Sequence, residues 1–182
     1  MNKKYLLLLF CPLLIIATRL IPHLPNVVPV TAIALTAGVY LGKKWALVLP
    51  LLGLIISDLV IGFYNWQLMM AVYGSFVLIG LISWWLRKNK TTINVITASL
   101  LSSTLFFIIT NLAVWTFSSW YPKTLTGLLY CFELALPFFR YTLAGDLLYV
   151  TLLFASFEFL HNPNLIKKLT FRPKQIMPIL TK

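Results

Sequence analysis

The sequence predicts an all-α integral membrane protein, a bundle of six transmembrane helices with a proline-rich loop after the first and an outer cap before the sixth. Three observations carry this. Of 182 residues, 60% are apolar and 10% charged, and the mean hydropathy is +0.89. The apolar residues fall into runs approaching or exceeding the roughly 20 helical residues that cross a hydrocarbon core. Those runs do not alternate, and lipid offers no partner to an unpaired backbone amide, so they read as helices rather than strands.

The first run, Tyr5 to Leu20, stands behind Lys3 and Lys4. A secretory signal begins the same way. Here no small-x-small site follows, the run continues through Thr18, Arg19 and Leu20, and Phe10 before Cys11 is too large for a lipoprotein processing box, so the run is read as helix one. Pro22, Pro25 and Pro29 then exclude regular helix over 21–29, because proline lacks an amide donor and pushes its predecessor out of the α region. The next helix, Val30 to Gly42, spans only about 20 Å and is too short to cross unaided. The proline segment is therefore expected to dip to membrane depth.

Helices three to five are expected at Trp45 to Phe63, Leu68 to Leu86 and Ile93 to Phe117, between basic breaks at Lys43-Lys44 and Arg87-Lys88-Asn89-Lys90. Thr124 to Phe139 is apolar but holds Glu133 and Pro137. Read as a crossing, it would place the tail outside; read as part of an outer cap over 118–142, it leaves Leu143 to Leu160 as the sixth span. Charge decides between the two. With six spans and the start inside, twelve of the fifteen Lys and Arg residues lie on the inner side, leaving Arg19, Lys123 and Arg140 outside. Cytoplasmic loops favour cations, so the count supports six crossings with both termini in the cytoplasm. Residues 1–161 then form the membrane domain and 162–182 a basic interfacial tail. The net charge of +11 is spent on topology rather than on a nucleic-acid stripe.

Enzyme signatures fail. Gly38-Val-Tyr-Leu-Gly42-Lys43-Lys44 has three residues between its glycines where a phosphate loop needs four, and a lysine where the metal-binding hydroxyl belongs. His23 and His161 fall at opposite faces, and no nucleophile elbow or zinc-protease motif occurs. Cys11 and Cys131 have neither metal nor redox spacing and read as buried small hydrophobes. No enzyme activity, cofactor or metal is expected, and any ATP-driven step needs another chain.

Small residues recur four apart at Ala34, Gly38 and Gly42, at Gly53 and Ser57, and at Asp58 and Gly62, which suits close helix packing in lipid. Internal packing is the plainer use and a partner surface the sharper one. Trp45, Trp66, Trp84, Trp85, Trp115 and Trp120 fall near span ends, as interfacial anchors do.

A charge within a span costs roughly 2.5 to 3.5 kcal/mol on insertion scales, so the acidic residues are informative. Asp58 and Asp146 each lie about one turn inside the outer face. Arg19 and Arg140 share that side, Asn111 and Trp115 share a face of helix five, and His23 and Asn26 hang on the proline loop. A set of structural pairs, for example Asp58 with Arg140, is one reading. The other is a small-molecule pocket open to the outside, with Arg19, His23, Asn26, Asp58, Asn111, Trp115, Arg140 and Asp146 as its substrate-binding residues. Tyr73, Trp115 and Trp120 could stack a ring, and packing explains them equally. Glu158 is assigned an interfacial role with His161.

The stretch Arg19-Leu-Ile-Pro-His-Leu-Pro-Asn26 to Pro29-Val-Thr-Ala32, with Ala37-Gly38 and Ser57-Asp58-Leu-Val-Ile-Gly62, resembles an uncharacterised family of bacterial transport proteins. Asn111-Leu-Ala-Val-Trp115, Tyr121-Pro122-Lys-Thr-Leu and Leu136-Pro-Phe-Phe-Arg140 to Gly145-Asp146 extend the likeness over roughly residues 19 to 155. In plan the chain is similar to the substrate-binding S components of energy-coupling-factor (ECF) transporters. That resemblance implies a binder of a vitamin or similar micronutrient, served by a transmembrane coupling protein with ATPase subunits. Helix one departs from the S-component pattern, since it holds only Ala17 where a docking face would carry Ala-x-x-x-Ala; Ala34, Gly38 and Gly42 are the substitute surface. A solitary proton-coupled carrier and a noncatalytic scaffold are the alternatives.

Overall fold

The computed structural model describes residues 3–22 and 24–161, with side chains for 8–22 and 24–159. Within them lie six α-helices and no strand: α1 (Lys3–Leu20), α2 (Val30–Tyr40), α3 (Lys43–Ile61), α4 (Trp66–Lys88), α5 (Thr92–Phe117) and α6 (Leu125–His161). The last four are long and apolar enough to cross a membrane, while Leu8–Leu20 and Val30–Tyr40 are shorter apolar helices. His23 and the basic tail 162–182 lie outside the described residues. Side chains such as Leu13, Leu59, Val60, Met70, Leu101 and Leu148 are exposed along these helices. So much apolar surface is foreign to a water-soluble monomer, and with the apolar helices it points to a multi-pass membrane protein.

The short helix α2 is the hub. Val30 through Gly38 are all buried, because α3, α4, α5 and α6 each pack against it while α1 packs on α3. A helix apolar on every face has no solvent side to present, and it ends up in the interior. Its small residues set the spacing: a Cβ on Gly38 would overlap Ser83 of α4. The face of Ala34 and Gly38 is thus spent inside the bundle, which corrects the expectation that it could dock a coupling protein.

Proline shapes the neighbouring contact. Pro50 cannot donate to the Ala46 carbonyl four residues earlier, and Gly80 of α4 packs so closely there that a Cβ would sit 3.4 Å from that oxygen and overlap Leu47. Several helix ends are satisfied locally. The Asn65 side chain accepts from the Gln67 and Leu68 amides, and the Thr91 hydroxyl accepts from the Asn94 amide at 3.1 Å.

The clearest departure from expectation is α6. A cap over 118–142 followed by a span from Leu143 was anticipated, whereas one helix runs unbroken through Pro137. Its first turns fold back along α5: Phe132 and Phe139 meet Phe107 with centroids at 5.4 and 4.4 Å, and the Cys131 thiol reaches the Asn111 carbonyl at 3.6 Å. Those α5 contacts hold the helix where sequence alone suggested an interruption, and Glu133 stays exposed. The cap is the N-terminal part of α6.

Candidate functional site

At the end of the bundle where the proline loop lies, polar side chains gather in two groups. The first joins α1, α3 and α4. The Arg19 guanidinium meets the Asp58 carboxylate at 2.7 Å and donates to the Ser57 hydroxyl at 2.6 Å and the Leu54 carbonyl at 3.4 Å. The Tyr73 hydroxyl donates to the other Asp58 oxygen at 2.6 Å. Ser57 can accept from Arg19 because its own hydrogen has a place on the Gly53 or Leu54 carbonyl. Asp58 is 1% exposed, so the pair is affordable only because both carboxylate oxygens are engaged. A planar guanidinium spreads over three acceptors in a way that a lysine could not.

This corrects the expected pairing of Asp58 with Arg140. Arg140 is exposed on α6 and has no ion pair among the described residues. Trp115 also leaves the candidate set: its indole donates to the Pro122 carbonyl at 3.0 Å and its ring lies under the Lys123 ammonium. Lys123 donates to the Trp115 and Ser118 carbonyls, the open carbonyls of the α5 C-terminus, where a cation is favoured. Trp115 and Lys123 therefore fasten the α5–α6 turn. At the opposite end Glu158 pairs with Lys90; the His161 side chain, expected to share its interfacial role, lies outside the described residues.

The second group surrounds Asp146, which is 2% exposed. Ser103 of α5 lies 2.6 Å from its Oδ2, and the Thr31 hydroxyl of α2 also bonds the carboxyl. The loop closes over this point because Gly145 has no side chain, so that Val27 packs against it; a Cβ there would lie 3.1 Å from the Val27 Cα.

Between the two groups the bundle is hollow. A cavity of about 350 Å³ is lined by Arg19, Asn26, Leu54, Tyr64, Val72 and Phe106, among others. A second of about 260 Å³ is lined by Asn26, Val72, Phe106, Phe107, Thr110 and Asn111. A chamber of about 40 Å³ reaches Thr31, Thr142 and Asp146. Asn26 and Phe106 line all three, so these adjoin one another as lobes under the loop. Asn26 takes its place through a left-handed backbone, φ 63°, which asparagine tolerates better than most residues. Asn111 donates to the Phe107 carbonyl at 2.8 Å, which leaves its side-chain oxygen available.

Of the eight residues predicted from sequence, Arg19, Asn26, Asn111 and Asp146 line this space. Asp58 stands behind Arg19, Arg140 and Trp115 lie elsewhere, and His23 is outside the described residues. Phe106, Phe107, Val72 and Thr110 were missed, since apolar and hydroxyl residues inside a span look the same whether they face a cavity, a neighbour or lipid.

The apolar helix bundle points to the class, a multi-pass membrane protein, and the space under the proline loop is its candidate site. The chain belongs to a family of unknown function, DUF6580, whose model matches residues 1–169. No curated protein and no solved structure matches it.

Proposed function

We propose that this chain is the substrate-binding subunit of a membrane uptake system, taking a vitamin-sized micronutrient from outside a bacterial inner membrane. In this reading all six helices are membrane segments, α2 crossing within its ring of neighbours, and both termini are cytoplasmic, as the cation count favours. The observation that carries the reading is the space under the proline loop. Its main lobe of about 350 Å³ lies in the range of about 300–1,000 Å³ usual for ligand sites. It offers aromatic faces at Tyr64 and Phe106 and polar groups at Arg19, Asn26 and, in the adjoining lobe, Asn111. Energy would come from a separate coupling protein with ATPase subunits, since the sequence carries no phosphate loop.

A second observation favours a solitary carrier as the other reading. At the opposite end a cavity of about 490 Å³ is lined by Tyr40, Lys90, Val95, Thr151, Phe154 and Glu158, and spaces entering from both ends suit alternating access. Native mass spectrometry of the full chain, purified gently from cells grown in rich medium, tests the shared premise. A small-molecule adduct that disappears in Asn111→Ala is expected, and an empty spectrum would overturn both readings. Accumulation by proteoliposomes under a proton gradient without ATP would favour the carrier.

A further inference from the structure

We propose that Asp146 is a proton-exchange site, holding a proton that it trades with water in the small chamber under the proline loop. The argument rests on what surrounds the carboxyl. α5 presents Ser103, α2 presents Thr31, α6 itself presents Thr142, the loop presents Asn26, and Phe76 of α4 closes the side. None of these carries charge, and the Arg19 guanidinium is already committed to Asp58. An ionised carboxylate that is 2% exposed and faces only neutral dipoles is costly, whereas a carboxylic acid is not.

The hydrogen-bond geometry leaves room for that proton. Ser103 has one hydroxyl hydrogen but two close oxygens, the Ser99 carbonyl at 3.0 Å and Asp146 Oδ2 at 2.6 Å. If Ser103 donates to its own helix, the shorter contact requires the hydrogen to come from Asp146. The chamber of about 40 Å³ exceeds the roughly 10–15 Å³ that a water needs, so there is room on the loop side for a water to accept the proton. In the other direction the buried Ser99 hydroxyl has no partner among the described residues. Beyond it Val95 and Ile96 already line the cavity at the opposite end. Ile96 and Ser103 are about 10 Å apart along α5. Ser103 and Ser99 thus lie along α5 between the chamber at Asp146 and the cavity at the opposite end, a position from which a proton could be exchanged with either side.

This inference stands whether or not the uptake reading does, and its test needs no substrate. The chain has four acidic residues, which makes infrared assignment simple. Full-length protein in lipid nanodiscs at neutral pH is expected to show the C=O stretch of a protonated carboxylic acid, shifting on transfer to D2O. The band should vanish in Asp146→Asn, persist in Asp58→Asn and move in frequency in Ser103→Ala, which remains informative if the first variant fails to fold. No band in the unmodified protein, a band surviving Asp146→Asn, or a frequency indifferent to Ser103→Ala would overturn the proposal. So would loss of the band on adding sodium, which would assign the site to a metal cation.

Discussion

At the scale of single residues, the Arg19–Asp58 pair and Asn26 do different jobs, and substitution separates them. Removing one partner of a buried pair leaves a charge without compensation, which costs about 3–5 kcal/mol. Asp58→Ala should therefore unfold at markedly lower temperature by scanning fluorimetry, and Arg19→Lys should lose part of that stability because an ammonium cannot span Asp58, Ser57 and the Leu54 carbonyl together. Asn26 sits in left-handed backbone with its side chain at all three lobes. Asn26→Gly should keep the thermal midpoint within a degree or two while removing any bound adduct. Asn26→Val should cost about 1–2 kcal/mol, since a β-branched residue resists that conformation. A stable valine variant would show that the loop does not depend on the turn.

At the scale of elements, close approach rather than burial alone organises the bundle. Gly38 lies against Ser83, and a methyl added there has nowhere to go. Gly38→Ala is expected to destabilise by about 1–3 kcal/mol, and Ser83→Gly in the same chain should restore much of the loss, a coupling that a double-mutant cycle measures. Independent effects would mean that α2 and α4 are held apart by something else. Element positions were largely legible beforehand, because basic clusters and prolines punctuate the apolar runs and local chemistry governs them. The continuity of α6 was not. Pro137 and Glu133 advertise an interruption in one dimension, while the Phe107 contacts that hold the helix together come from a residue 25 to 32 positions earlier. Arg140 shows the same limit. Sequence put it at the depth of Asp58, but depth leaves the direction around the helix undetermined, and Arg140 faces away.

At the scale of the whole molecule, the two ends differ in what they offer. The loop end carries the lobed space and the committed Arg19–Asp58 pair, whereas the opposite end carries Lys43 against Trp84, Lys44 against Trp45 and Lys90 against Tyr40. If the cation-rich end is cytoplasmic, then in a background lacking Cys11 and Cys131 a cysteine at Ser119 should react with an impermeant thiol reagent applied from outside, and one at Lys88 should not. Labelling at Lys88 from outside would invert or break the topology. The residues legible as candidates were the polar ones, because a polar group in an apolar run needs a reason; the aromatic lining carried no such signal.

The enclosure of α2 bears on how the chain is made. Eleven residues from Val30 to Tyr40 cannot satisfy an insertion machinery that tests segments one at a time against lipid, since they span only about 16 Å. Yet in the finished protein this helix meets mostly protein. If α2 is a membrane segment, its route in is cooperative: it enters as a hairpin with α3, joined across Gly42, and is sealed when α4 to α6 arrive. Ribosome-bound chains ending shortly after α3 should therefore leave α2 accessible from the water, and chains extended through α6 should protect it. Biogenesis of this protein would thus finish only with its last helix, so truncations that spare every residue of the proline loop should still be cleared as unassembled.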